Sequence, residues 1–108
     1  MIYELRIYTA CQGRMPDLLA RFRDHTMRIF ERHGMKNVGY WLNTVGGRND
    51  ELWYLLAYEN MAAREAAWAG FMADEEWQAV RAESERKGPL VQFAENRFMT
   101  PTDFSPLA

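Results

Sequence analysis

The chain has 108 residues, of which 48% are hydrophobic and 14% aromatic, and its 13 basic and 15 acidic residues leave a net charge of −2. A chain of this length forms one domain with its own core, here residues 1–108, and needs neither a disulfide nor a metal ion to hold it together. The basic residues are mixed with acidic ones and make no run that would follow a phosphate backbone, which disfavours nucleic-acid binding.

The single cysteine, Cys11, excludes an internal disulfide and is typical of a protein from a reducing compartment. Charged residues occur early in the chain, so the N-terminus lacks the apolar stretch of a secretory signal. No segment approaches the roughly 20 apolar residues of a membrane span. These features predict a cytoplasmic protein without a membrane span.

The first two predicted elements are a strand and a long helix. Residues 2–9, IYELRIYT, alternate with a period of two and predict a strand. Pro16 is favoured in the first turn of a helix, and apolar residues then recur at three- and four-residue spacing as far as Phe30. The helix ends at His33 and Gly34, because glycine readily adopts the left-handed conformation that follows a helix.

A hairpin, two more helices and a last strand follow. Residues 37–45 and 51–59 predict two strands joined by the turn residues GGRND. Asn60 and Asp74 are favourable N-cap residues for a second helix and a short third helix. Residues 90–99 predict the fourth strand.

The order β-α-β-β-α-β predicts an α+β fold of the ferredoxin-like type, with an antiparallel four-stranded sheet and the helices on one face. Such a sheet normally presents a polar outer face to water. In residues 37–45 and 51–59, however, both alternating sets of side chains are apolar or aromatic. We therefore expect a second copy of the chain to cover the free face, which would form a homodimer and a dimeric α/β barrel.

Charged residues interrupt the two strands that should lie side by side. Glu4 and Arg6 belong to the first strand, and Glu95 and Arg97 belong to the last. We expect all four on the face away from the helices, where burial between two sheets would require every charge to be paired. Antiparallel pairing would set Glu4 near Arg97 and Arg6 near Glu95, within one chain or across the dimer axis. The alternative is a solvated polar face on a monomer.

Several segments of the sequence resemble the NIPSNAP family. YELRIYT, HGMKNVGYW, NDELWYLLAYEN and PTDFSPL carry the resemblance, which runs along nearly the whole chain. It implies the two-chain barrel of the dimeric α/β-barrel superfamily, and the bacterial family members are small uncharacterised proteins. Superfamily relatives include cofactor-independent monooxygenases, an isomerase and haem-degrading enzymes, which often use a cleft between the sheet and the helices. Family members often carry a histidine where this chain has Tyr54, and a shared fold does not transfer a reaction.

Histidine is the most versatile candidate catalytic residue in the chain. His25 lies on the flank of the apolar stripe of the first helix. There it can act as a general base or haem ligand facing the cleft, or be a structural histidine hydrogen-bonded at the helix edge. His33 is placed to complement the negative end of the helix dipole. Without HxH, HExxH or CxxC spacing the sequence contains no visible metal site, and we expect no metal or other cofactor.

Three functions are open at this point. The first is a homodimer that binds a small apolar or aromatic molecule in the sheet–helix cleft. The second is a monooxygenase or isomerase without metal or flavin, in which His25 moves a proton and Arg6 stabilises negative charge. The third is a non-catalytic interaction module. The aromatic residues that can line the cleft, or alternatively form core, are Tyr40, Trp41, Tyr54, Tyr58 and Trp68, with Tyr40 and Tyr54 orienting the substrate of an enzyme.

Overall fold

A computed structural model describes residues 1–107 of the chain and contains one four-stranded antiparallel sheet. The strands are β1 (Ile2–Ala10), β2 (Lys36–Leu42), β3 (Glu51–Tyr58) and β4 (Val91–Met99), and they lie side by side in the order β2-β3-β1-β4. Every neighbouring pair is antiparallel. This topology confirms the predicted α+β, ferredoxin-like class.

Three helical segments complete the domain. The first helix is α-helical over Met15–Arg21 and Met27–Arg32, with a π-helical turn over Phe22–Thr26 between them. The second helix is Met61–Ala73 and the third is Glu75–Ser84. The predicted elements therefore all exist. The periodicity of the sequence does not reveal the π-helical turn or the register shifts after Thr9 in β1 and after Asn37 in β2.

Side-chain caps fix the starts of the two shorter helices. The Asn60 side chain accepts a hydrogen bond from the Ala63 N–H at 2.8 Å, and the Asp74 side chain accepts one from the Trp77 N–H at 3.0 Å. Each bond satisfies one of the N–H groups that have no partner within the helix. At the end of the first helix Gly34 has a φ of 84°, the left-handed conformation expected there.

The hydrophobic core lies between the sheet and the helices. Tyr54 at its centre is fully buried in the middle of β3. Aromatic rings from the first and second helices pack on it and on each other at centroid distances between 4.7 and 6.4 Å. Buried side chains of this core include Leu18, Phe22, Ile29, Phe30, Leu52, Tyr54, Leu56, Phe71 and Trp77.

The register of β1 corrects one prediction about its two faces. Arg6 pairs directly with Tyr54 of the core, and directly paired residues share a face of the sheet. Glu4 and Arg6 therefore face the helices, whereas the apolar residues at positions 3, 5 and 7 face away. The prediction had these faces reversed, because a strand with apolar side chains on both sides carries no internal sign of which side the helices cover.

The helices leave the other face of the sheet uncovered. We call this surface the open face: it comprises the outward side chains of β1 to β4, which include Tyr3, Leu5, Ile7, Trp41, Trp53, Leu55 and Met99. Phe93 and Trp41 are its most exposed aromatic residues, with 65% and 54% of their surfaces exposed. The Trp41 ring lies over Gly39, where an added Cβ would clash with it. The exposure of this face is uneven, because Tyr3 and Ile7 of β1 are each only 8% exposed.

Candidate functional site

A buried carboxylate lies between the sheet and the second helix. Glu4 is fully buried, with 0% of its surface exposed. Its side chain accepts hydrogen bonds from Arg6 at 2.8 Å, from Asn96 at 2.8 Å and from Tyr58 at 3.0 Å. Arg64 of the second helix donates to both carboxylate oxygens, at 3.1 and 3.4 Å. The buried charge is thereby fully paired, as burial of an ion requires.

Arg6 links this carboxylate to the aromatic residues around it. Its Nε donates to the Tyr54 hydroxyl at 2.8 Å, and its Nη2 donates to the Tyr8 hydroxyl at 3.1 Å. The guanidinium carbon lies 4.5 Å from the ring centre of Trp68, within the range of a cation–π contact. We call the connected group the Glu4 cluster: Glu4, Arg6, Tyr8, Tyr54, Tyr58, Arg64, Trp68 and Asn96.

Regular secondary structure brings these side chains together. The period of two in β1 puts Glu4, Arg6 and Tyr8 on one face. Arg64 and Trp68 lie one turn apart on the second helix, where residues four apart are neighbours. These placements let side chains from three strands and one helix converge on a single carboxylate.

The electrostatics of the cluster favour a charged Glu4 and neutral tyrosines. Burial alone would raise the pKa of Glu4, but hydrogen bonds from Arg64 and Asn96 and the charge of Arg6 outweigh it and lower that pKa below its usual value. Burial, followed by the charge of Glu4, raises the pKa of Tyr58. Burial also raises the pKa of Tyr54. The cluster thus contains one carboxylate, two guanidiniums and protonated phenols at neutral pH.

The cluster lies at the margin of the helix layer. On the β4 side, Asn96 and Phe98 remain exposed although they point to the helix-facing side of the sheet. The Phe98 ring lies 5.2 Å from the guanidinium of Arg64. A ligand approaching along β4 would therefore meet an apolar ring, an amide and the edge of the charged cluster.

In the structure, the aromatic residues predicted to line one cleft lie in different surroundings. Tyr54, Tyr58 and Trp68 join the Glu4 cluster, while Tyr40 stacks on Tyr54 at 5.1 Å and donates to Asn37 at 2.6 Å. The space deeper between sheet and helices is filled by core rings, since Phe22 lies 5.1 Å from Tyr54 and 5.4 Å from Tyr40. These aromatic residues therefore pack in or against the core rather than line an open cleft.

Three other predicted ligand or cluster residues lie on the open face. Trp41 is on that face and does not contact the cluster side of the sheet. Glu95 and Arg97 form an ion pair with each other at 2.8 Å and are both exposed. The predicted pairing of Glu4 with Arg97 and of Arg6 with Glu95 is wrong, because β4 sets Arg97 opposite Leu5 and Glu95 opposite Ile7.

His25 lies elsewhere in the molecule. It belongs to the π-helical turn and lines a cavity of about 540 Å³ whose other lining residues lie within 14–24 and 79–87, with none from the sheet. Its Nδ1 is buried and has no hydrogen-bond partner within residues 1–107. The expectation that His25 faces the sheet–helix cleft is therefore corrected, because its flank of the first helix faces the third helix instead. His33 contacts Asp74 at 2.7 Å and ties the first helix to the cap of the third.

Sequence reasoning missed three members of the cluster. Arg64 was visible as a basic residue four positions before Trp68, on the same side of the second helix. Tyr8 shares the face of Glu4 and Arg6 through the period of two in β1, whereas Asn96 carried no local signal because its role depends on the register of β1 with β4. The described residues include no group of three or more His, Cys, Asp or Glu side chains arranged to hold a metal ion. Among residues 1–107, no helix has both the length and the apolar character needed to cross a membrane.

Comparison with known sequences identifies similar proteins. The family model described as NIPSNAP matches residues 3–106. Protein NipSnap homolog 3B from Mus musculus is 29% identical over 76 residues, which make up 70% of this chain and 30% of the mouse protein. The chain thus spans about a third of the length of the curated relatives it matches.

Comparison with solved structures gives the same family and a wider fold relationship. A NIPSNAP family protein with unknown function from Agrobacterium tumefaciens has a TM-score of 0.86 at 32% identity, with 100% of this chain and 94% of that chain covered. SnoaB, a cofactor-independent oxygenase from Streptomyces nogalater, has a TM-score of 0.64 at 16% identity, with 97% and 96% covered. At that identity the similarity to SnoaB shows the fold alone.

Proposed function

The chain belongs to the NIPSNAP family, and from this membership and the Glu4 cluster we propose that it binds a small, flat organic molecule that carries an anionic group. The ligand occupies the margin of the sheet–helix layer along β4. Its flat part lies against Trp68 and Phe98, and its anionic group approaches Arg6, Tyr8 and Arg64.

The observation that supports this proposal is that positive charges outnumber negative charges in the Glu4 cluster. Glu4 is the one buried carboxylate there, and it accepts hydrogen bonds from two guanidiniums, those of Arg6 and Arg64. The second partner of Arg64, Glu65, is largely exposed, so water screens its charge. One positive charge is left beside aromatic rings, an environment that suits an aromatic or otherwise planar anion.

Tyr8 provides the directional contact. Its hydroxyl accepts from Arg6 at 3.1 Å and is also hydrogen-bonded to the Tyr54 hydroxyl. With Tyr54 as the donor of that second bond, the Tyr8 O–H proton is left for another acceptor. Its side chain is half-buried, at the boundary between the core and the β4 margin. A ligand oxygen at this point would receive a hydrogen bond from a group that the adjacent guanidinium polarises.

A matched pair of probes tests the proposal. We expect 2-naphthoate to raise the melting temperature and its neutral amide, 2-naphthamide, to have little effect, since one probe carries the charge and the other does not. At ten times the Kd the charged probe stabilises the folded state by about 1.4 kcal/mol, which corresponds to several degrees. Equal effects of the two probes would count against a site selected by charge.

A substitution locates the site. Tyr8→Phe removes the donated hydrogen bond and should weaken naphthoate binding about five- to tenfold, the effect of roughly 1 kcal/mol. Tyr3→Phe is the matched control, since the same strand carries it on the open face, and it should bind like the unchanged protein. The proposal fails if calorimetric titration finds the same affinity in both variants.

We further propose that two chains associate through their open faces. The open face is largely apolar, and its exposed ion pair of Glu95 and Arg97 is self-complementary under a two-fold axis, because each residue can also meet its opposite in the second copy. A second chain is the occupant that offers both properties at once. Because His25 is remote from the Glu4 cluster, we do not extend the proposal to an enzyme that uses His25 as its base.

A further inference from the structure

The cavity lined by His25 lies between the first and third helices. Its volume of about 540 Å³ is within the range of small-molecule pockets. Small apolar side chains, Ala20, Ala79 and Val80, leave the space between the two helices open. The lining contains no residue of the Glu4 cluster, so whatever binds here is independent of the function proposed above.

Two buried nitrogen atoms in this lining have no hydrogen-bond partner. They are Arg21 Nε and His25 Nδ1, and they are the buried side-chain nitrogen or oxygen atoms of residues 1–107 that have none. Arg21 is only 7% exposed. Buried polar atoms are nearly always hydrogen-bonded, so two unpartnered nitrogen atoms on lining residues of one cavity call for an explanation.

The rest of the Arg21 side chain is held firmly in place. Its Nη1 donates to Ser84 Oγ at 3.1 Å and to Glu85 at 3.0 Å, and its guanidinium lies 5.1 Å from the Trp77 ring. Glu85 also accepts from Arg81 at 3.2 Å, with the same oxygen. One carboxylate thus serves two guanidiniums. The cavity lining contains four basic side chains and three acidic ones, a small excess of positive charge: Arg14, Arg21, Arg86 and Lys87 against Asp17, Asp24 and Glu83.

The backbone around these residues is unusual as well. Between Arg21 and Met27 the helix widens into the π-helical turn, in which the Met27 N–H bonds to the Phe22 carbonyl five residues earlier. The Thr26 hydroxyl donates to the Arg21 carbonyl at 3.2 Å. Single π-helical turns inside α-helices are frequent at functional sites.

We propose that this cavity binds a small organic molecule with a carboxylate group. Arg21 Nε and His25 Nδ1 donate to the two carboxylate oxygens, with the His25 proton on Nδ1. Ala20, Ala79 and Val80 contact the apolar part of the molecule. A carboxylate suits the site because both acceptor oxygens lie in one plane and because its charge offsets the excess of basic over acidic side chains in the lining.

Arginine Nε–H resonances in ¹⁵N NMR spectra provide a direct test. Titration with butyrate and with benzoate is expected to shift the Arg21 Nε–H signal and to slow its exchange with water, while inorganic phosphate leaves it unchanged. A signal that neither carboxylate moves at 10 mM overturns the proposal. A shift with phosphate alone overturns the assignment to carboxylates.

Two alanines of the third helix provide a matched pair of variants. Ala79→Leu fills the cavity and should weaken carboxylate binding at least tenfold, whereas Ala82→Leu, at an exposed position outside the lining, should change it less than twofold. His25→Phe, checked for folding by circular dichroism, should also weaken binding at least tenfold. Unchanged affinity in Ala79→Leu or in folded His25→Phe refutes the site.

The Tyr8→Phe variant keeps the two proposals distinct. It alters the Glu4 cluster on the opposite side of the helix layer, so the Arg21 response to butyrate should stay the same. Loss of that response in Tyr8→Phe would contradict an independent site.

Discussion

At the residue scale, Glu4 is the clearest case of a side chain whose role depends on its partners. Removing one member of a buried ion pair costs several kcal/mol, because the remaining charges lose compensation that water cannot replace. Glu4→Gln keeps the shape but leaves Arg6 and Arg64 without their shared carboxylate. We expect it to lower the free energy of unfolding by about 3 kcal/mol in urea titrations.

Glu83 supplies the control for this measurement. It also pairs with an arginine, Arg86, at 3.4 Å, but both side chains are exposed and lie away from the open face. Surface ion pairs contribute little, so Glu83→Gln should change the free energy of unfolding by less than about 0.5 kcal/mol. Similar losses in both variants would contradict the structural importance assigned to the buried pair.

The lowered pKa of Glu4 also predicts a pH dependence. A carboxyl group whose pKa in the folded protein is below its ordinary value of 4.5 stabilises the fold above that value. The stabilisation decreases as the pH falls below 4.5 and through the lower pKa of the folded state. The stability difference between the unchanged protein and Glu4→Gln should therefore be constant near neutral pH and shrink below pH 4.5.

Comparing the unchanged protein with Glu4→Gln separates the contribution of Glu4 to the pH dependence from the contributions of other carboxylates. Hydrogen bonds from Arg28 and Arg32 lower the pKa of Glu76 to about 2, so Glu76 also contributes to acid unfolding. It does so equally in both proteins, and the subtraction removes it. Urea titrations at pH 7, 5, 4 and 3 provide the data, and a difference that persists unchanged at pH 3 would argue against a charged Glu4.

At the element scale, the sequence predicts what local chemistry determines. The caps at Asn60 and Asp74 and the end of the first helix at Gly34 were all predictable, because each depends on residues within one turn. β2 ends at Leu42, before the predicted end at residue 45. Asn43 belongs to the loop instead, and its side-chain amide donates to the Arg48 carbonyl at 2.7 Å. The π-helical turn was not predictable, since one shifted hydrogen bond hardly changes the apolar spacing.

Thr26 is the residue through which this turn can be tested. Its side chain is buried, and its hydroxyl donates to the Arg21 carbonyl at 3.2 Å. Thr26→Val preserves the shape and removes the hydrogen bond, which should cost about 1 kcal/mol of unfolding free energy. Thr44→Val, at an exposed loop position, should cost less than about 0.5 kcal/mol. Equal values from thermal or urea unfolding would show that the hydroxyl does not support the turn.

At the scale of the whole molecule, the sequence predicts the architecture better than it predicts which face of the sheet the helices cover. The order of elements and the double-sided apolar strands were enough for the fold and for an uncovered sheet face. They could not assign Glu4 and Arg6 to a side, because the assignment depends on Arg64, which lies 58 positions after Arg6 in the chain. Nor could they place His25 relative to the third helix, since that depends on how two helices pack.

The last prediction concerns the association of two chains in the proposed dimer. The open face of an isolated chain leaves Trp41 exposed beside Leu55 and Trp53, and burial of such side chains against a second copy is favourable in proportion to the apolar area removed from water. We expect sedimentation equilibrium at micromolar concentration to give twice the mass of one chain. Trp41→Arg would place an unpaired charge in the interface and should weaken association at least 100-fold, the effect of about 2.7 kcal/mol.

Met72 distinguishes loss of the interface from a general effect of added charge. It is 49% exposed and lies on the second helix, away from the open face. Met72→Arg should therefore remain dimeric under conditions in which Trp41→Arg is monomeric and, by circular dichroism, still folded. A monomeric unchanged protein would refute the dimer, and a dimeric Trp41→Arg would move the interface away from the open face. Neither result would affect the Glu4 cluster, whose partners all belong to one chain.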